Sequence, residues 1–242
     1  MMRIDQTGVR IHGAGATMQG TLSVPEGASG LVIFAATGGL GMGMEHPLMR
    51  RLAKSGLGTL LLSLISPEET GSYAELRFDI EGLAQRVIAA IDWAGLWLPH
   101  RAHLGLFGTD TAAAAALVAA SRRANVIDAV ASMSGRPDLA IHAFSRVQAP
   151  ILLVVGDSDE PCRHANELAA TRMRASSRDF QVVAGADRAF SGSGQRDAVV
   201  ELIAAWLVDK VSFDSGQSGV RRLDVPSHSA ATDDLSRTRS NR

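Results

Sequence analysis

The chain has 242 residues, 46% of them hydrophobic and 20% charged, with a formal net charge of −1. One sizeable α/β domain fits this length, and the near-neutral balance gives no case for nucleic acid or an acidic membrane surface as a partner. The single cysteine, Cys162, excludes an intramolecular disulfide and a cysteine-based zinc site; no metal and no cofactor are expected. The N-terminus has no apolar h-region, and no apolar run approaches the ~20 residues needed to cross a bilayer. A soluble, cytoplasmic protein is expected.

Taken in order, Val9–His12 and Thr17–Val24 read as a hairpin around Gly13–Gly15. Leu31–Ala36 is a continuous apolar run, as a central strand covered on both faces requires. The glycine-rich loop Thr37–Gly43 follows. Glu45–Ser55 reads as a helix with Pro47 in its first turn, and Leu57–Ile65 as a buried strand. Ser66–Ser72 reads as a loop, and Phe78–Ala94 as an amphipathic helix with Ile80, Leu83, Ala84, Val87, Ile88 and Ile91 on one stripe. After the strand Leu104–Phe107, the alanine-rich helix starts at Ala112. Val126–Met133, Pro150–Val155 and Phe180–Val183 read as strands, Cys162–Ala175 and Gln195–Val211 as helices. The alternation predicts one mostly parallel sheet with helices on both faces. Residues 1–211 form the expected domain. Residues 212–242, rich in Ser, Asp, Arg and Gly, read as a disordered tail.

The stretch with the most chemistry in it is Gly108-Thr109-Asp110-Thr111-Ala112, between a short buried strand and a helix. It has the layout of a nucleophile elbow, G-x-S-x-G, in which a strained turn lifts one side chain above the sheet. Here aspartate stands at the serine position and alanine at the closing glycine. Together with the glycine loop, Thr59–Glu69, Arg77–Glu81, Gly135–Leu139 and Gly156–Pro161, this elbow resembles the α/β-hydrolase superfamily, in its dienelactone-hydrolase-like branch, over roughly Met18–Val211. The resemblance implies an α/β-hydrolase fold and a triad in the chain order nucleophile, acid, histidine. Carried over position by position, Asp110 fills the nucleophile slot and Asp159 the acid slot. Arg188, in Gly185-Ala-Asp-Arg-Ala-Phe190, fills the histidine slot. Thr37 and Gly38 fall in the oxyanion slot, with a backbone N–H of Thr111 as its second donor.

The substitutions argue against serine esterase chemistry. A carboxylate nucleophile at Asp110 could form an ester intermediate, but Arg188 keeps its proton at any working pH and cannot activate water. Arg188 is either an anion clamp or the partner of Asp110 and Asp159 in an enclosed ion-pair cluster. His46 by the glycine loop and His142 in the lid segment are the candidates for a replacement base. Cys162 at a helix start is a candidate nucleophile or a buried packing residue. Ser134 ends a strand on the site face. Three classes of function stay open. The first is a hydrolase-derived enzyme acting on a small ester or lactone through a non-classical Asp110/Asp159/Arg188 site. The second is an inactive pseudohydrolase that binds a small ligand or a protein partner. The third is an epoxide- or halide-processing enzyme built on Asp110. The expected partner is a small-molecule ligand or substrate, with no nucleic acid and no membrane, and a homodimer is compatible with the sequence.

Overall fold

Glycine and proline cut the apolar runs into short strands. The computed structural model describes residues 4–38, 42–96, 98, 103–173 and 178–212. Strands β1 (Ile4–Gly13) and β2 (Ala16–Pro25) form an antiparallel hairpin, and β2 joins the sheet antiparallel to β4 (Leu57–Ser63). The rest is parallel: β3 (Gly30–Ala36), β5 (His103–Thr109), β6 (Ala129–Gly135), β7 (Ile151–Gly156) and β8 (Arg178–Val183). The spatial order is β1-β2-β4-β3-β5-β6-β7-β8.

The helices are α1 (Met42–Lys54), α2 (Tyr73–Leu76), α3 (Ile80–Gly95), α4 (Asp110–Arg122), α5 (Glu160–Arg172) and α6 (Gln195–Val211). Alternate residues of each central strand feed opposite layers. Leu31, Ile33, Leu104 and Leu106 pack with α3 and α4, whereas Val32, Phe34 and Phe107 pack with α1 and α6. This two-sided burial is why β3 is apolar at every position. The rings of Phe34 and Phe107 lie 4.9 Å apart at 45°. Each such fully buried side chain contributes about 1.5–3 kcal/mol. Among the described residues no helix is long and apolar enough to cross a membrane.

Several boundaries differ from the sequence reading. Helix α1 begins at Met42, so Pro47 lies inside it rather than in its first turn. Helix α3 begins at Ile80 because Asp79 caps it, its Oδ1 accepting from the Gly82 N–H at 2.9 Å. The expected loop after β4 is a 3-10 turn, Pro67–Ser72, running into α2. Proline at its start and a bond from the Ser66 N–H to Glu69 Oε2 (3.0 Å) set that turn. A second 3-10 segment, Pro137–Arg146, follows β6. Helix α4 begins at Asp110 itself, two residues earlier than expected. The expected tail lies outside the described residues except for Ser212, as do His100 and residues 39–41 of the glycine loop.

Candidate functional site

The C-terminal ends of the parallel strands are where such folds gather ligand-facing loops, and the site lies there. Strand β5 hands directly into α4, with Asp110 at φ +48° between them. Aspartate is among the few non-glycine residues that enter this left-handed region readily. The turn is tight enough that a side chain at Gly108 would put its Cβ 2.8 Å from the Ala113 backbone. The alanines of α4 from Ala112 to Ala116 are fully buried, and their small size lets the helix lie close against the sheet. The elbow is pinned to the next strand by an Asp110–Gly135 β-bridge and by the Arg136 N–H donating to the Asp110 carbonyl at 3.0 Å.

Asp159 closes the turn after β7 and caps α5, its Oδ1 accepting from the Cys162 N–H at 3.4 Å. Arg188 comes from the loop after β8. That loop is held against β7 by the Asp157 N–H to the Val183 carbonyl (3.0 Å) and the Ser158 N–H to the Ala186 carbonyl (2.9 Å). The approach requires glycine at 156, where a Cβ would lie 2.4 Å from two carbonyl oxygens of the loop. Ser134, also in left-handed backbone at φ +46°, donates its hydroxyl to the Arg188 carbonyl at 2.9 Å. That bond ties the end of β6 to the loop that carries Arg188.

These constraints bring the three slots together. Arg188 Nη2 donates to Asp110 Oδ1 at 2.9 Å, and Arg188 Nη1 donates to Asp159 Oδ2 at 3.1 Å. The expected cluster of Asp110, Arg188 and Asp159 therefore forms. The guanidinium does not grip one carboxylate with both nitrogens; it spans two carboxylates, one nitrogen on each. The cluster is also more open than an enclosed site. Side-chain exposure is 24% for Asp110, 15% for Asp159 and 32% for Arg188.

A fourth member was missed. Arg77 Nη2 donates to the other oxygen of Asp110, Oδ2, at 2.6 Å. The Arg77 guanidinium also lies 5.0 Å from the Phe78 ring centre and 5.6 Å from that of Tyr73, a cation–π arrangement. In the sequence Arg77 stands out only within Arg77–Glu81, a stretch that carries the family likeness. The segment that carries it is anchored below by Arg86 of α3, which is buried and donates to both oxygens of Glu69 at 2.8 and 2.6 Å and to the Leu64 carbonyl. Breaking that pair would free the segment that delivers Arg77.

Thr37, Gly38 and Thr111, the residues of the expected oxyanion slot, lie at the ends of β3 and β5. Thr37 and Thr111 are buried, and their hydroxyls meet at 3.5 Å beside the elbow. Gly38, at φ +89°, lies under Tyr73, whose hydroxyl donates to its carbonyl at 3.5 Å. The candidate bases are not in place. His46 is exposed, and His142 bonds through Nε2 to Glu81 Oε1 at 3.1 Å, on the surface of α3. Cys162 is buried, with Sγ 3.5 Å from the Gly135 carbonyl. Burial pushes its thiol up to about 11, with Asp159 adding to the effect. It is a packing residue rather than a thiolate nucleophile.

The fold is shared with many solved structures. The model of the dienelactone hydrolase family matches residues 18–206. The chain belongs to the dienelactone hydrolase family. Among solved structures, the dienelactone hydrolase from Anabaena variabilis is 33% identical, with a TM-score of 0.78 over 86% of this chain and 99% of that one. Est1E from Butyrivibrio proteoclasticus shares the fold at 14% identity, with a TM-score of 0.70 over 84% of this chain and 98% of that one. A Mycobacterium tuberculosis protein provisionally named a phosphoribosyl transferase is 36% identical over 208 residues, which is 83% of this chain and 46% of that relative. The chain thus spans just under half the length of the curated relatives it matches.

Proposed function

We propose that this member of the dienelactone hydrolase family has given up hydrolytic turnover and works as a binding protein for a small ligand at the elbow. The observation that carries this reading is the occupancy of Asp110: each of its carboxylate oxygens already holds a guanidinium. A carboxylate so engaged is a poor nucleophile, because attack withdraws its charge from two cations at once. The second half of any ester mechanism needs a group to take a proton from water. The two side chains that bond Asp110 are arginines, which do not give up protons at working pH. The charges balance, two arginines against two aspartates.

The alternative of a lactone or ester hydrolase running on Asp110, Asp159 and Arg188 keeps the fold, but among the described residues no base bonds to Asp110. The Asp110-based epoxide or halide chemistry lacks it too. The transferase name of the mycobacterial relatives is not extended to this chain, which covers less than half of them and matches a hydrolase family over its own length.

The test is turnover of a panel of nitrophenyl esters by the wild type and by Asp110→Ser/Arg188→His. The wild type is expected to release no nitrophenol above the uncatalysed rate, and the double variant to release it measurably, since it recreates serine, histidine and Asp159 on an intact oxyanion side. Steady turnover by the wild type would overturn the proposal.

A further inference from the structure

The elbow carboxylate is held the way a protein holds a ligand. Asp110 offers two oxygens, and two guanidiniums from separate segments, Arg77 before α3 and Arg188 after β8, each take one. The carboxylate sits at the first residue of a 13-residue helix, where the backbone favours negative charge. More donors surround it than it can use. The Thr37 and Thr111 hydroxyls stand together beside the elbow. Arg77 Nε is buried and has no hydrogen-bond partner among the described residues. The two threonine hydroxyls bond each other, which leaves one of their two protons, with Arg77 Nε, unused by a carboxylate that has only two oxygens; a tetrahedral oxyanion with four oxygens has acceptors for them.

We propose that Asp110 is the built-in occupant of an anion site, and that the natural ligand carries a phosphate group that binds to Arg77 and Arg188 by turning the Asp110 side chain aside. This rests on the reading that the site binds rather than turns over, and it adds the chemical class of the ligand. The geometry fits such an exchange. Asp110 is partly exposed, so its carboxylate has solvent to turn into, and Arg188 stays in place through Asp159 and through its carbonyl bond from Ser134. An intramolecular competitor acts at high effective concentration, so the wild type binds a simple phosphate weakly. Only a ligand with further contacts, at the Phe78 and Tyr73 rings beside Arg77, overcomes it.

Calorimetric titration of inorganic phosphate, with acetate in a parallel series, tests this on the full chain. Asp110→Asn removes the competitor's charge while keeping its shape, and Asp110→Ser places the family's own residue there. In at least one of these variants phosphate affinity is expected to rise about tenfold or more over the wild type, with a smaller gain for acetate. Adding Arg77→Gln to that variant is expected to return phosphate affinity to the wild-type level. The proposal is overturned if neither single variant gains affinity, if acetate gains as much as phosphate, or if Arg77→Gln leaves the gain intact. Loss of the anion site alone would leave the non-hydrolytic reading standing, whereas ester turnover by the wild type would remove that reading whatever the phosphate titrations gave.

Discussion

Replacing Glu45 by glutamine should make the protein more stable above pH 7 and no more stable below pH 4.5. Glu45 lies in the first turn of α1 and is 1% exposed. Its Oε2 is buried without a hydrogen-bond partner among the described residues. Desolvation raises its pKa from 4.5 to about 7. The folded protein therefore holds this proton more tightly than the unfolded chain does. Below pH 4.5 both states are protonated and the group costs nothing. Between 4.5 and 7 the unfolded chain ionises first, and stability falls as pH rises. Above pH 7 the full cost is present, about 3 kcal/mol for a shift of this size. The paired carboxylates Glu69 and Glu81 have lowered pKa values, from hydrogen bonds with Arg86 and Arg122 first, and act in the opposite sense in acid. The informative quantity is thus the difference between wild type and Glu45→Gln in urea denaturation across pH 4–8. A gain for the variant that grows through this window is expected; parallel profiles would show that the Glu45 carboxylate is already stabilised by a partner.

Arg188→Ala should destabilise the protein by more than Asp110→Ser/Arg188→His does. Removing the guanidinium leaves Asp110 and Asp159 as neighbouring carboxylates, with Arg77 still on one of them. A fully buried pair broken this way costs about 3–5 kcal/mol. Here the partners are between 15% and 32% exposed, so solvent screens part of the repulsion and about 1–3 kcal/mol is the expected cost. The double variant replaces the pair with a serine and a histidine that can bond to each other and to Asp159. It leaves Arg77, whose side chain is 31% exposed, without its carboxylate, a cost that solvent partly screens. A double variant less stable than Arg188→Ala, measured by chemical denaturation, would mean that the cluster is held by packing rather than by charge.

The sheet was legible because short apolar stretches, six residues in Leu31–Ala36 and five in Ile151–Val155, stop at glycine or polar residues and alternate with helical patterns. The elbow was legible because a strand and a helix separated by four residues leave room for one kind of turn. Asp110, Asp159 and Arg188 could be paired because the fold fixes which strand ends adjoin, and a swap of opposite charges at two such ends carries its own signal. Arg77 carried no comparable signal. It follows a 3-10 turn and a four-residue helix, where no periodicity marks a face, and its partner is chosen by how the Arg86–Glu69 pair anchors that segment. Glu45 was hidden for the opposite reason. An acidic residue in a helix's first turn is commonplace, and only packing distinguishes one facing water from one sealed inside. The start of α4 was misplaced because aspartate is a weak helix former, whereas Arg77, Arg188 and the bridge to Gly135 hold Asp110 at the helix start.

The central claim is that the Asp110 carboxylate is held in a charge cluster and does no covalent chemistry. Incubating the wild type in heavy-oxygen water with a nitrophenyl ester, an epoxide or a haloalkane, then weighing the peptide that contains Asp110, tests it directly. An epoxide or haloalkane would leave an alkyl ester on Asp110, and a nitrophenyl ester a mixed anhydride with loss of nitrophenolate; water attacking the Asp110 carbonyl of either puts solvent oxygen into the carboxylate. The account predicts a peptide of unchanged mass with all three; heavy oxygen in Asp110 with any of them would contradict it.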